Sequence, residues 1–217
     1  MIANASRHGA ICRAIVACAL LASTLSAFNL VGTAWGQAQP DPDWPCVQRK
    51  VGTLSAGVVW SGPDLAGAGP WDKDFDAAAL AQKLASRRTP IEDVDSLIEG
   101  FAQHAGADKT IRLTRVFAGV LELVNDDRNS ILSGIDRYSR GQNKLADRIR
   151  DESDKVSAAR DSPGASDTKD TQDLETQLKW DTRIFQERSR SLTYVCEAPV
   201  LLERRLFEIA RRIQQRL

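Results

Sequence analysis

The apolar positions of this chain form two long ladders. From residue 117, positions 117, 121, 124, 128, 131, 135, 138, 142, 145, 149, 152 and 156 alternate steps of four and three, and nine of these twelve are Phe, Leu, Val, Ile or Tyr. Such stepping is the seam of a helix that packs along another helix. Arg128, Gln142 and Glu152 interrupt it, and polar insertions of this kind fix register rather than strengthen packing. The pattern predicts one helix from Asp108 to the break at Ser162-Pro163-Gly164. Residues 161–170 are polar and turn-rich, after which the stepping resumes at 174, 178, 181, 185, 188, 192, 195, 199, 202, 206, 209, 213 and 217. Pro199 lies in that series; an interior proline removes a helix hydrogen bond and crowds the preceding turn, so a kink there, or a break and restart, is expected. Two arms of similar length around one short loop predict an antiparallel hairpin. Residues whose numbers sum to about 330 should then face each other, Leu145 with Phe185 and Tyr138 with Leu192.

Shorter patterns precede the hairpin. Residues 73–87 place Phe75, Ala78, Ala79, Leu80 and Leu84 on one face. Thr89-Pro90-Ile91-Glu92 then reads as a capping box, with Thr89 as N-cap and Pro90 at the first helical position. It opens a second helix with Ile91, Val94, Leu97, Ile98 and Phe101 inward, stopping near Gly106. Folded back beside residues 108–125 and 205–217, these two helices predict a four-helix bundle at one end, with the rest of the hairpin projecting toward residue 165.

Residues 39–71 are rich in Pro and Gly and predict an extended, turn-rich arm. Trp44, Leu54, Val58, Val59, Trp60 and Trp71 are too apolar to stay solvated, so the arm should lie across a helical surface. The expected class is all-α: an arm at 39–71, then a helical domain at 72–217 built as a long antiparallel hairpin with a four-helix bundle at one end.

Residues 1–38 lack Asp and Glu, carry Arg7 and Arg13, and then run apolar from Ala14 through Val31. That order is the order of a secretory signal peptide. Small residues in Ala34-Trp35-Gly36-Gln37-Ala38 place cleavage near Gly36 or Ala38. The alternatives are a retained membrane anchor, diluted by Ser23, Thr24, Ser26 and Asn29, and acylation at Cys18, which follows Arg13 too closely for a lipoprotein signal. No stable membrane span is expected after cleavage.

Charge excludes one class of partner. Removing residues 1–38 takes two arginines and no acid, leaving 27 basic against 29 acidic residues, a formal charge of −2. No electrostatic footprint for nucleic acid is present.

Candidate chemistry is sparse. Cys46 and Cys196 are the cysteines left beyond the export segment, 150 positions apart and outside any CxxC pair. In an oxidising compartment two isolated cysteines usually pair, and a loop of that length is worth roughly 5 kcal/mol under the chain-entropy model. An intermolecular bridge and two free thiols are the alternatives. His104, the one histidine beyond residue 38, reads as a capping or surface residue. Neither a transition-metal ligand set nor a nucleophile-elbow motif accompanies it. No catalytic, cofactor or metal residue is assigned. Asp126-Asp127-Arg128-Asn129 reads as a solvated face with one seam contact, and Arg204, Arg205, Arg211, Arg212 and Arg216 as a solvated basic tail rather than a ligand patch. Trp44, Trp60 and Trp71 lock the arm onto the bundle or serve as partner contacts.

The segments Trp44-Pro45-Cys46-Val47-Gln48 and Trp60-Ser61-Gly62-Pro63, with the later run from Leu192 through Tyr194-Val195-Cys196-Glu197 to Glu203, resemble an uncharacterised group of secreted proteobacterial proteins. The resemblance implies a Gram-negative periplasmic setting and carries no activity. The functional expectation is a non-enzymatic interaction or accessory protein with a protein partner in the periplasm, acting through the hairpin or the Trp-rich arm. Long hairpins often dimerise, which adds a homodimer as an expectation. The rival is an enzyme or ligand-binding module with a cleft between arm and bundle, lined by Asp126, Asp127 or Glu197. Pairing across the hairpin places Cys46 at the level of Ser133 and Gly134, small residues that would let the arm cross.

Overall fold

The structure, a computed structural model, describes Asp41, residues 43–164 and residues 168–217. The predicted export signal at 1–38, its cleavage point and Cys18 lie outside the described residues. Every regular element among the described residues is helical. A one-turn helix α1 (Ala56–Val59) and two 3-10 turns (Ala66–Ala68 and Trp71–Lys73) punctuate the arm. They lead to α2 (Phe75–Ala85), a 3-10 turn at Ile91–Asp93, α3 (Val94–His104), a further turn at Gly106–Asp108, and then α4 (Lys109–Asp161) and α5 (Lys169–Gln214).

At 53 residues, α4 is roughly 80 Å long, and it runs unbroken as the ladder predicts. Every one of the twelve ladder positions on α4 is buried or half-buried. The two long helices are antiparallel, and polar pairs report their register. Arg128 meets Glu203, Gln142 meets Ser189 and Arg148 meets Asp181, all close to the expected sum. Tyr138 donates its hydroxyl proton to the Arg188 carbonyl at 2.9 Å, and Gln142 donates to the Phe185 carbonyl at 3.2 Å.

The second ladder slips at two places. Arg188 and Val195 are exposed, and Cys196 takes the buried position instead of Val195. Pro199 is buried and α5 continues through it, so the expected break and restart does not occur. The carbonyl of Val195 forgoes its partner there, because proline has no N–H, and this single loss is outweighed by the packing of the turns on either side.

At the bundle end α2 and α3 fold back on α4 and α5 as expected. Leu80, Leu84, Val94, Ile98, Leu113, Phe117, Leu206, Ile209 and Ile213 form one buried core. The face of α2 differs from the expected one. Asp74 caps the helix by accepting from the Ala77 amide at 3.2 Å, and that start turns Phe75, 87% exposed, and Ala79 away from the core. Ala77, Leu80, Ala81, Leu84 and Ala85 face inward instead. The small side chains bring α2 close to α4 at Gly119, where a Cβ would lie 2.8 Å from Ala81 Cβ and 2.7 Å from the Trp71 ring.

Thr89 does not cap α3. Its hydroxyl donates to the Lys83 carbonyl at 2.7 Å, closing the end of α2, because Ile91–Asp93 forms a 3-10 turn and moves the helix start to Val94. Gly106, at φ 59, makes the left-handed turn that ends the α3 segment and starts the approach to α4.

Cys46 and Cys196 form a disulfide within the chain, with their Cα atoms 5.6 Å apart. The hairpin register sets Cys196, and with it the bridge to Cys46, level with about residue 135, close to the expected Ser133 and Gly134. Asp43 pairs with Arg140 and Lys50 with Asp136, so the arm's own contacts with α4 begin at residues 136–140. Ser133 is exposed, and a Cβ at Gly134 would meet only Arg137 of its own helix. From there the arm runs lengthwise along α4 toward the bundle, with Thr53 beside Asn129 and Leu54 bound to Asn125.

Replacing both cysteines by serine should leave the helical circular dichroism in place while lowering chemical-denaturation stability by roughly 2–5 kcal/mol. Unchanged stability would mean that the arm is held without the bridge.

Candidate interaction surface

Where the arm meets α4 at residues 51–54 it has no helix or sheet to satisfy its backbone, and α4 supplies side chains in their place. Asn125 accepts from the Leu54 amide at 2.8 Å and donates to the Leu54 carbonyl at 3.0 Å. Arg128, 2% exposed, donates to the carbonyls of Gly52 and Val51 and lies 3.8 Å from Glu203. Burial pushes the Arg128 guanidinium down from its ordinary value, with the Glu203 charge opposing. Within the segment 126–129 the arginine is thus the single seam contact, and Asp126, Asp127 and Asn129 are exposed.

The three tryptophans of the arm are tied into the fold. The Trp60 ring stacks on Phe117 with centroids 4.1 Å apart and planes 7° from parallel, and its N–H donates to the Pro63 carbonyl at 2.8 Å. Trp71 packs against the core and donates to Glu122 at 2.8 Å. Trp44 donates to the Gln48 carbonyl at 2.7 Å and lies under the Lys50 ammonium. Each indole N–H is satisfied; Trp60 and Trp71 fasten the arm to α4, while the contacts of Trp44 lie within the arm.

The carboxylates of the rival cleft do not converge. Asp126, Asp127 and Glu197 are all exposed, and the space between arm and α4 that they would line is filled by Asn125, Arg128 and Leu54. His104 is exposed and its Nδ1 lies 2.6 Å from the Gly100 carbonyl, a local surface contact. Among the described residues no three His, Cys, Asp or Glu side chains are grouped to hold a metal ion. No described helix is long and apolar enough to cross a membrane.

The basic end of α5 is largely paired. Arg212 binds Asp95 at 2.9 Å and Glu208 at 2.9 Å, Arg216 binds Asp95 and Glu99, and Arg211 binds Glu208. Arg205 donates to the Leu84 carbonyl at 2.8 Å. Arg205, Arg212 and Arg216 seat α2 and α3 on α5, a role the composition of the tail alone did not reveal.

Among the carboxylates that depart from ordinary titration, two sites bear on how the helices pack. Asp74 takes a two-pronged hydrogen bond from Arg112, 2.8 Å on each prong, which, with its helix-capping bond and Arg115, lowers its pKa to about 2. In the hairpin seam Glu152 lies beside Asp181. Burial, then the neighbouring Asp181 charge, raises the Glu152 carboxyl above its ordinary range, while Arg148 holds Asp181 low.

Exposed apolar side chains lie singly on the arm (Val47, Val51, Val58), on α2 (Phe75) and on α4 (Ile111), and several lie on α5. Trp180 is 58% exposed, Tyr194 77% and Leu201 51%. Positions 180, 183, 187, 190, 194, 198 and 201 step by three and four, so these three side chains share one outward stripe. Trp180 lines an open hollow with Thr176, Lys179 and Arg183. The sequence ladder hid this stripe, because Trp180, Tyr194 and Leu201 each fall just off the seam series.

No family model, curated protein or solved structure matches the chain.

The Asp74 shift implies a defined acid response. Its folded pKa of about 2 lies below the ordinary 3.8, so its stabilisation is complete above about pH 4 and is lost as pH falls toward 2. Asp74→Asn should therefore cost on the order of 2 kcal/mol at neutral pH and progressively less as pH falls through about 2, read from denaturation midpoints across that range. Glu152 carries the opposite sign. A raised folded pKa makes stability fall as pH rises through and above the ordinary 4.5, so Glu152→Gln should gain stability relative to the parent chain as pH goes from 4 to 7. A pH-independent difference would show that the seam carboxyl is not shifted.

Proposed function

We propose that this is an exported, periplasmic, non-enzymatic interaction or accessory protein whose contact surface is the projecting hairpin. The observation that carries this reading is the exposed Trp180, Tyr194 and Leu201 stripe on α5, since aromatic anchors contribute disproportionately to binding. The arm takes the other role open to it, as the strap that fixes the hairpin to the bundle. Export is supported by the acid-free, apolar segment at 1–38 and by the bridge between Cys46 and Cys196, a bond that persists in oxidising compartments.

Two measurements test it. N-terminal sequencing of the protein recovered from a periplasmic fraction should begin at Gln37 or Gln39; a retained Met1 would contradict cleavage. Replacing Trp180, Tyr194 and Leu201 together by alanine should change stability by no more than about 1 kcal/mol, as is usual for exposed positions, and should abolish complementation of a strain lacking the gene. Full complementation by the folded triple variant would remove the hairpin as the working surface.

A further inference from the structure

The seat that α2 and α3 occupy on α5 continues past the point where they end. Counting back along α5, positions 216, 212, 208, 205, 201, 198, 194, 190, 187, 183 and 180 step by three and four and form one stripe. From 216 to 205 that stripe is covered: Arg216 and Arg212 meet Glu99 and Asp95 of α3, and Arg205 meets the Leu84 carbonyl at the end of α2. From 201 to 180 nothing covers it among the described residues, yet Leu201, Tyr194 and Trp180 remain apolar there.

The charges around the bare stretch match those of the covered one. Where α3 sits, α5 offers arginines and α3 answers with carboxylates. Along the bare stretch Lys179, Arg190 and Arg204 are exposed and make no ion pair among the described residues, while Arg183 is paired with Glu187 at 2.9 Å. We infer that residues 180–201 of α5 are the seat of an amphipathic helix from a partner protein, lying in line with α3 and repeating its chemistry. This helix presents apolar residues at three- and four-residue steps and carboxylates on its flanks, with one basic residue opposite Glu197. The span from Trp180 to Leu201 is roughly 32 Å at helical rise, which calls for a partner helix of about 20 residues. The inference rests on the hairpin being the contact surface and adds what binds there.

The experiment places the photo-crosslinking residue p-benzoylphenylalanine at 180, 194 or 201, and at the exposed off-stripe positions 186 and 193, in the full chain expressed in its native cell. Expected are adducts from 180, 194 and 201 alone, mapping by mass spectrometry to one net-acidic helical segment of a partner. A synthetic peptide of that segment should then bind the purified oxidised protein, and Tyr194→Glu or Leu201→Glu should weaken it at least tenfold with unchanged helical circular dichroism. Adducts from the stripe that map to a second copy, to lipid, to residues 1–40 of the same chain or to a non-helical or basic segment overturn the helix proposal while leaving the hairpin as a contact surface. No adduct at any of the five positions overturns both.

Discussion

The structure depends on how a stretch of irregular backbone is fastened against a helix. Buried peptide groups need partners, and at Leu54, the buried residue of the stretch 51–54, neither a sheet nor a helix supplies them. Asn125 replaces a neighbouring strand by serving both the N–H and the C=O of Leu54, and Arg128 takes the next two carbonyls. With these satisfied, Leu54 and Val59 can join the bundle core, Trp60 can reach Phe117, and Trp71 can lie over Gly119. Losing a partner for a buried group costs roughly 1–3 kcal/mol each, comparable to the burial of the apolar side chains that the arm brings in. The disulfide then acts on an arm already placed, shortening the unfolded chain's freedom more than steering the folded one.

Much of the hairpin was legible because a two-helix seam has one dominant period. The α4 ladder could be read from Phe117 to Val156, since among its polar members Arg128 and Gln142 find partners on the arm or across the seam. Where a third element enters, the period stops being sufficient. Near Cys196 the arm widens the contact, so Cys196 and not Val195 faces in. On α2, alanines are silent in a hydrophobic pattern although they allow the close approach at Gly119, and Phe75 misled the assignment because the Asp74 cap, not apolarity, sets where the helix begins. Thr89 shows the same limit: the box was present as letters, but a 3-10 turn moved the helix start and left the hydroxyl to close α2. The candidate surface was least legible, since a residue just off a seam looks like scatter until the covering elements are known.

The two ends of the molecule are stabilised differently. The bundle has a filled apolar core, whereas the projecting hairpin has a thin seam in which Glu152 is held with an unpartnered oxygen beside Asp181. A buried carboxyl with a raised pKa subtracts from stability at neutral pH. Arg148 and Asp181 recover part of that through their ion pair, and a polar group with a single matching position across the seam penalises slipped registers more than an extra leucine would. The hairpin thus gives up stability for alignment, which suits an element whose outer face must stay in a fixed relation to the bundle.

That outer face follows from a mismatch of lengths. Helices α2 and α3 have eleven residues each and α5 has 46, so they can cover only one end of α5, and the arm is committed to the groove beside Asn125 and Arg128. One side of α5 is therefore left open by the topology itself. An isolated exposed apolar residue on such a side would be ordinary. Three of them in line with a seat already used by α3, flanked by cations of the kind that α3 neutralises at the covered end, are what the proposed partner helix would cover.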